Sequence, residues 1–353
     1  MFSQRLKRLT AYVPGEQPQD SKYMKLNTNE NPYPPSPKIA DLLRGFDIER
    51  LRLYSDPVCG RLRDKIAEKY GLTREQVFVS NGSDEALSFC FYAFFDSLYG
   101  KLLFPEFTYS FYPVYCDFYG ILYERVPLDR EFRVDLNGFL EKGDESCGVI
   151  FANPNAPTGT YLPVDSIARF MENYPEDKIV LIDEAYIDFG GESAVKLMDR
   201  FQNLVVVKTF SKGRSLAGLR LGYALAGKEL VKALFTVKDS FNSYPADTLS
   251  QLIGEIAIED EDYYRATIEK VIEAREYFSS ELQRLGWRVL PSKANFVFSS
   301  KDGVSGKDVY LKLKGAGILV RYFDIEGIKE FVRITIGTRE QMERFLAEAV
   351  RLF

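Results

Sequence analysis

The chain of 353 residues contains no histidine. That excludes imidazole bases, histidine metal ligands and every nucleophilic triad that relays its proton through a ring nitrogen. Cysteine is scarce. Cys59, Cys90, Cys116 and Cys147 show neither metal-ligand spacing nor a disulfide framework, so they read as reduced thiols of a cytoplasmic protein, and no metal is expected. No apolar run approaches the ~20 residues that span a bilayer, and the basic N-terminus lacks the apolar stretch of a secretory signal. A net charge of −5 gives no reason to expect nucleic acid or an anionic membrane as partner. Both nucleotide fingerprints are missing: no G-x-G-x-x-G opens a strand–helix turn, and Leu219 stands where the lysine of a Gly213–Gly218 phosphate loop belongs. Acid–base chemistry must come from lysine, carboxylates, tyrosine or cysteine.

What is present is a rhythm of short apolar runs and amphipathic stretches. The runs lie at 77–82, 100–105, 122–128, 148–154, 178–186, 204–210 and 220–226, with helical patterns such as "DEALSFCFYAFFDSL" and "VDSIARFMENY" between them. This alternation predicts an α/β fold, with a mostly parallel sheet of about seven strands covered by helices on both faces. Residues 1–36 are polar and proline-dotted and read as an extended arm; 37–240 form the large unit. From 241 to 353 the pattern becomes a smaller α+β unit: one long amphipathic helix over 259–286, short strands, and a closing helix at "REQMERFLAEAVRLF".

Open α/β sheets bind ligands beyond the carboxyl ends of their strands. The polar segments expected there are "NGSDEA", "NPNAPTG", "DEAY" and "TFSKGRS". In the first, Ser83 can cap a helix whose free N–H groups can hold an anion; taken alone, Asp84 and Glu85 in its first turn suit a plain capped helix better, and the two carboxylates would repel a phosphate unless they point away. In the third, Asp183 ends an apolar strand, where a carboxylate needs a cationic partner, either a buried pair or a protonated ring nitrogen. In the fourth, Lys212 follows Ser211 and is accompanied by Arg214 and Arg220, cations that would disfavour its ammonium form and could bind a phosphate. A lysine nucleophile, a carboxylate, an anion-binding helix start and an arginine are together what pyridoxal 5′-phosphate requires.

Seven segments carry a resemblance over residues 22 to 345: "KLNTNENPYPPSP", "NGSDEA", "FTYSFYP", "NPNAPTG", "DEAYIDF", "KTFSKGRSLAGLRLGYA" and "FVRITIGTREQ". Together they resemble the histidinol-phosphate aminotransferases, fold type I pyridoxal-phosphate enzymes. The resemblance implies a homodimer with shared sites that interconverts L-histidinol phosphate plus 2-oxoglutarate and imidazole-acetol phosphate plus L-glutamate, in L-histidine biosynthesis. It also implies roles for individual residues. Lys212 is the Schiff-base lysine and proton carrier, Asp183 the partner of the ring nitrogen, and Tyr186 and Asn155 the partners of the ring hydroxyl. The commoner form of the turn is N-P-N-N-P-T-G; here Ala156 replaces the second asparagine, which leaves Asn155 as the remaining candidate. Ser83, Asp84 (through its N–H), Ser211 and Arg220 resemble the phosphate cup, Tyr109 the aromatic stacked on the ring, and Tyr54 the tyrosine that reaches the partner subunit's phosphate. Arg333 resembles the arginine for the amino-acid carboxylate, a group guanidinium binds in bidentate fashion. Arg321, Tyr23, Asn29 and Tyr244 stand at substrate-pocket positions. An aromatic aminotransferase or a threonine-phosphate decarboxylase would share the fold. A non-enzymatic cofactor-binding regulator would need a nucleic-acid module that the sequence does not contain.

Overall fold

The computed structural model describes residues 2, 3, 5–18 and 22–353. In chain order the strands are β1 (Met24–Lys25), β2 (Val77–Ser80), β3 (Lys101–Pro105), β4 (Tyr123–Val126), β5 (Ser146–Ala152), β6 (Ile179–Asp183), β7 (Leu204–Thr209), β8 (Gly222–Ala226), β9 (Trp287–Val289), β10 (Phe296–Lys301), β11 (Ile318–Leu319), β12 (Arg321–Tyr322) and β13 (Val332–Thr335). Every apolar run predicted as a strand of the large sheet forms one, with ends that differ by up to three residues; β5 begins two residues earlier than its run. Their order is β2-β8-β7-β6-β5-β3-β4, and all are parallel except β8, which runs against both neighbours.

The central strands are apolar throughout because both faces are covered. Phe151, Ile182 and Val206 point to one apolar cluster with Ile167 and Phe170 of helix Val164–Met171. Ile150, Leu181, Val205 and Val207 point to another, with Leu87 and Phe91 of helix Gly82–Phe94 and Tyr112 and Tyr115 of helix Tyr112–Tyr119. This period of two decides what happens at the end of β6, where two acids are adjacent: they must leave by opposite faces.

The smaller sheet is antiparallel, in the order β12-β13-β10-β9. The predicted long helix spans Glu261–Arg284 and packs Val271, Phe278 and Leu282 against Val297 and Ile334 of that sheet. Just before it, helix Thr248–Glu259 instead buries Ile253 and Ala257 in the core of the large sheet. The arm is less extended than its prolines suggest: Leu6–Arg8 makes a 3-10 turn, and β1 pairs in parallel with β11, carrying Met24 and Leu26 into the smaller core.

Candidate active site

The C-terminal ends of β5, β6 and β7 and the start of β8 meet around a cavity of about 420 Å³. Asn29, Ser83, Asp84, Tyr109, Asp183, Tyr186, Ser211, Lys212, Arg220, Arg321 and Arg333 all line it. Asn155, Tyr23, Tyr54 and Tyr244 are not among the described lining residues.

An anion site is built where β2 turns into helix Gly82–Phe94. No side chain caps this helix start, so its first N–H groups are free for a ligand. Glu85 turns back to accept from the Asn81 N–H at 2.7 Å, and the Asp84 carboxylate is taken by Arg220 at 2.9 Å and Tyr109 at 3.0 Å. The two acids that argued against an anion are thus directed elsewhere or neutralised. Glycines permit the crowding. A Cβ on Gly82, whose φ is +79°, would lie 2.6 Å from the Arg220 guanidinium, and one on Gly222 would lie 2.3 Å from the Ser83 nitrogen.

At the end of β6 the alternation of faces separates the acids. Glu184 enters the first cluster's face, where it meets Lys208 of β7 at 3.0 Å, Ser193 Oγ at 2.5 Å and the Ala194 N–H at 2.6 Å. Burial works against the Lys208 ammonium, but Glu184 and then Asp188 outweigh it and raise its pKa. Asp183 faces the cavity, accepting from Tyr112 Oη at 3.0 Å and the Ala185 N–H at 3.1 Å. Sequence reasoning missed Tyr112; its place three residues after Tyr109 was the available signal.

Burial raises the Asp183 carboxyl to about 6, against the two hydrogen bonds, which favour the charged form. A folded-state pKa above the unfolded value means that the ionised group penalises the fold. The penalty is nearly absent below pH 4 and complete above about pH 6. Without cofactor, Asp183→Asn is therefore expected to gain on the wild type by about 2 kcal/mol between pH 4.5 and 7.5. Urea unfolding at the two pH values measures it; an unchanged gap would contradict the burial of this charge. In Tyr112→Phe the Asp183 midpoint moves higher still.

Lys212 lies just beyond β7, with Nζ donating to the Thr28 carbonyl at 3.1 Å and 5.8 Å from the Tyr186 ring centroid. Of the two arginines expected beside it, only Arg220 lines the cavity. Arg214 turns into the interior, donating to the Ala257 carbonyl and to Glu261 at 2.9 Å, and stacks 3.7 Å over Tyr264. Its short distance in sequence is misleading because the turn at 212–215 reverses the chain, with the Ser215 N–H donating to the Lys212 carbonyl at 3.3 Å. Asn155 also departs from expectation. It is fully buried and its Nδ2 is taken by the Phe107 carbonyl at 2.9 Å and Thr158 Oγ1 at 3.0 Å. The turn after β5 presents Ala156 and Pro157 to the cavity instead.

Arg333 on β13 and Arg321 on β12 bring the smaller sheet to the cavity. Arg333 Nη2 donates to the Asn27 carbonyl at 3.2 Å, while its buried Nε has no partner among the described residues. Burial lowers its pKa, yet guanidinium keeps its charge in proteins. Neither arginine pairs with a carboxylate among the described residues; Arg321 donates only to the Val13 carbonyl at 3.4 Å. The arm supplies Tyr12, Gly15 and Gln17 to the lining, with Tyr12 against Phe111 at 5.0 Å. Tyr54 and Tyr244 stack on each other at 4.6 Å on the outer surface, with Tyr54 84% exposed, and Tyr23 is half-buried just before β1. Neither tyrosine of this pair is among the residues that line this chain's cavity.

The family described as aminotransferase class I and II matches residues 21–348. A histidinol-phosphate aminotransferase of Syntrophus aciditrophicus (strain SB) is 62% identical, over 100% of this chain and 98% of that protein. The chain belongs to the histidinol-phosphate aminotransferase family. Another member, from Chromohalobacter salexigens, is 49% identical over 98% of this chain and 97% of its own. Among solved structures, the histidinol-phosphate aminotransferase of Sinorhizobium meliloti, in complex with pyridoxal-5′-phosphate, matches with a TM-score of 0.87 at 22% identity, over 98% of this chain and 95% of that one, which speaks for the fold. The aminotransferase is thus a pyridoxal-phosphate enzyme, as expected, and its fold is the expected type I. The lining fits that cofactor. It offers an uncapped helix start beside a guanidinium, a buried carboxylate, a lysine, and a buried hydroxyl, Thr108 Oγ1, without a partner among the described residues.

Proposed function

We propose that this cavity transfers the amino group of L-histidinol phosphate to 2-oxoglutarate, giving imidazole-acetol phosphate and L-glutamate, and the reverse, by way of pyridoxal 5′-phosphate, a step of L-histidine biosynthesis. The cofactor, when bound, supplies an electron sink for the substrate's α-carbon. Ser83, Ser211, Arg220 and the N–H of Asp84 hold its phosphate. Asp183, kept in place by Tyr112, keeps the ring nitrogen protonated. Tyr109 covers the ring and Tyr186 faces its hydroxyl. Lys212 is the nucleophile that anchors the cofactor and the base that moves the α-proton. Arg333, with Arg321 nearby, receives the carboxylate of glutamate or the phosphate of the other substrate. The observation that carries this reading is one cavity bearing a lysine, a buried carboxylate, an anion-binding helix start and two arginines without carboxylate partners among the described residues.

The reading has a direct test at Arg333. Arg333→Ala is expected to lower kcat/KM for glutamate by about 10²- to 10³-fold, the cost of removing one member of a desolvated, hydrogen-bonded charge pair. A loss below tenfold would exclude it from carboxylate binding.

The same proposal includes a homodimer with shared sites in the cytoplasm. Ile48, Leu51, Leu53 and Phe241, near Tyr54 or Tyr244 in sequence, are exposed, as are the two stacked tyrosines themselves, apolar side chains that a second subunit would cover. Tyr54 then reaches the partner's cofactor phosphate, and Tyr244 lies beside it. Four buried free cysteines suit a reducing compartment, and no helix among the described residues is long and apolar enough to cross a membrane. Sedimentation as a monomer at micromolar concentration would contradict the shared site. The arm (1–36), large unit (37–240) and small unit (241–353) are proposed as the functional divisions, with helix Thr248–Glu259 reaching back to the large core.

A further inference from the structure

The turn after β5 gives the cavity the methyl group of Ala156, and the Asn155 NH₂ is spent on Phe107 and Thr158, while its buried Oδ1 has no partner among the described residues. With no asparagine side chain at position 156, Tyr186 is the partner we read for the cofactor's ring hydroxyl, and its direction matters more than it would with a second donor beside it. A phenol can accept or donate, so its neighbours decide which way its proton points.

Asn29 makes that choice. It is 1% exposed, in the left-handed region at φ +56°, a conformation that asparagine tolerates better than most residues. Its Nδ2 donates to Tyr186 Oη at 3.0 Å. Its Oδ1 accepts from Thr335 Oγ1 at 3.0 Å, while its own backbone N–H donates to the same Thr335 oxygen at 3.0 Å. The Asn29 carbonyl accepts from Asn295 Nδ2 at 3.0 Å. Because the Asn29 N–H occupies a lone pair of Thr335 Oγ1, the threonine proton is free to go to Oδ1. That leaves the carboxamide NH₂ toward Tyr186, and the tyrosine proton free for the cavity. The Tyr186 ring is braced edge-on against Phe296 at 5.0 Å.

We propose that Asn29, oriented by Thr335, is a positioning residue that fixes Tyr186 as a hydrogen-bond donor toward the cofactor's ring hydroxyl, rather than a substrate ligand. This rests on the reading that Tyr186 faces that hydroxyl. The consequence is measurable without turnover. When the bound cofactor's visible absorbance is titrated, the high-pH form carries full negative charge on the ring oxygen. A donor to that oxygen favours this form and lowers the midpoint.

The experiment is a spectral pH titration of the holoenzyme and its variants. Tyr186→Phe is expected to raise the midpoint by about one pH unit, a tenfold change in the proton equilibrium. Asn29→Gly, which keeps the left-handed backbone, and Thr335→Val, which keeps the shape, are expected to move it in the same direction by a smaller amount. Asn29→Gly in the Tyr186→Phe background is expected to add nothing. If Tyr186→Phe shifts the midpoint but neither Asn29→Gly nor Thr335→Val does, and Asn29→Gly only raises KM, the positioning role is overturned while the Tyr186 assignment stands. If Tyr186→Phe itself leaves the midpoint unmoved, both fall.

Discussion

Replacing Lys212 with alanine is expected to lower turnover by about 10⁴-fold or more. That is the upper end of what a positioned proton carrier contributes, with the covalent anchor lost as well. The size follows from what surrounds the site. With no histidine in the chain, no imidazole can take over the α-proton. The nearest lysine in sequence, Lys208, faces the opposite side of the sheet and is held by Glu184. Tyr109 donates its hydroxyl to Asp84, and Tyr112 donates to Asp183. Single-turnover kinetics with L-histidinol phosphate measure the effect. A variant that still delivers the proton to the cofactor at above about 1% of the wild-type rate would mean that another group is the base.

The second large effect falls on stability. Lys208→Met is expected to destabilise the protein by about 3–5 kcal/mol, because it strands the Glu184 carboxylate in the interior. In that pair the lysine side chain is 4% exposed and the glutamate 0%. Adding Glu184→Gln to Lys208→Met removes the stranded charge and is expected to recover most of the loss, since a buried pair replaced as a unit costs little. Urea unfolding of the single and double variants, with cofactor absent, measures both. A single variant within 1 kcal/mol of wild type would show that the pair is solvated. The two lysines of "VVVKTFSKG" therefore separate by phenotype, Lys212 through chemistry and Lys208 through folding.

That separation also shows what the sequence could and could not disclose. The seven strands of the large sheet were legible because buried parallel strands are apolar from end to end, and the polar residues that finish them mark the edge where ligands bind. That Lys212, Asp183 and Arg220 come together at this edge was legible for the same reason. The partnership of Lys208 with Glu184 was not, because it depends on register: Asp183 pairs with Val207, which sets the following two residues side by side on one face. Arg214 was misjudged because nearness along a turn says nothing about the direction of a side chain. The absence of Asn155 from the lining was not legible, because which residue of a turn faces a cavity depends on its backbone path. The arm's contribution through Tyr12 and Gln17 had no periodic pattern to betray it. Tyr54 and Tyr244 are not among the residues that line this chain's cavity, and a motif position alone does not say whether a side chain points into the cavity of its own chain.

The most direct measurement is an absorbance titration of the purified, cofactor-loaded protein with L-histidinol phosphate, with no keto acid present. Conversion of the cofactor's resting band to that of pyridoxamine phosphate, without release of carbon dioxide, is the predicted result. It would establish amino transfer from this substrate and set aside the decarboxylase reading. A resting band that persists at millimolar histidinol phosphate, but is converted by phenylalanine, would contradict the proposed substrate and leave a general aromatic aminotransferase in its place.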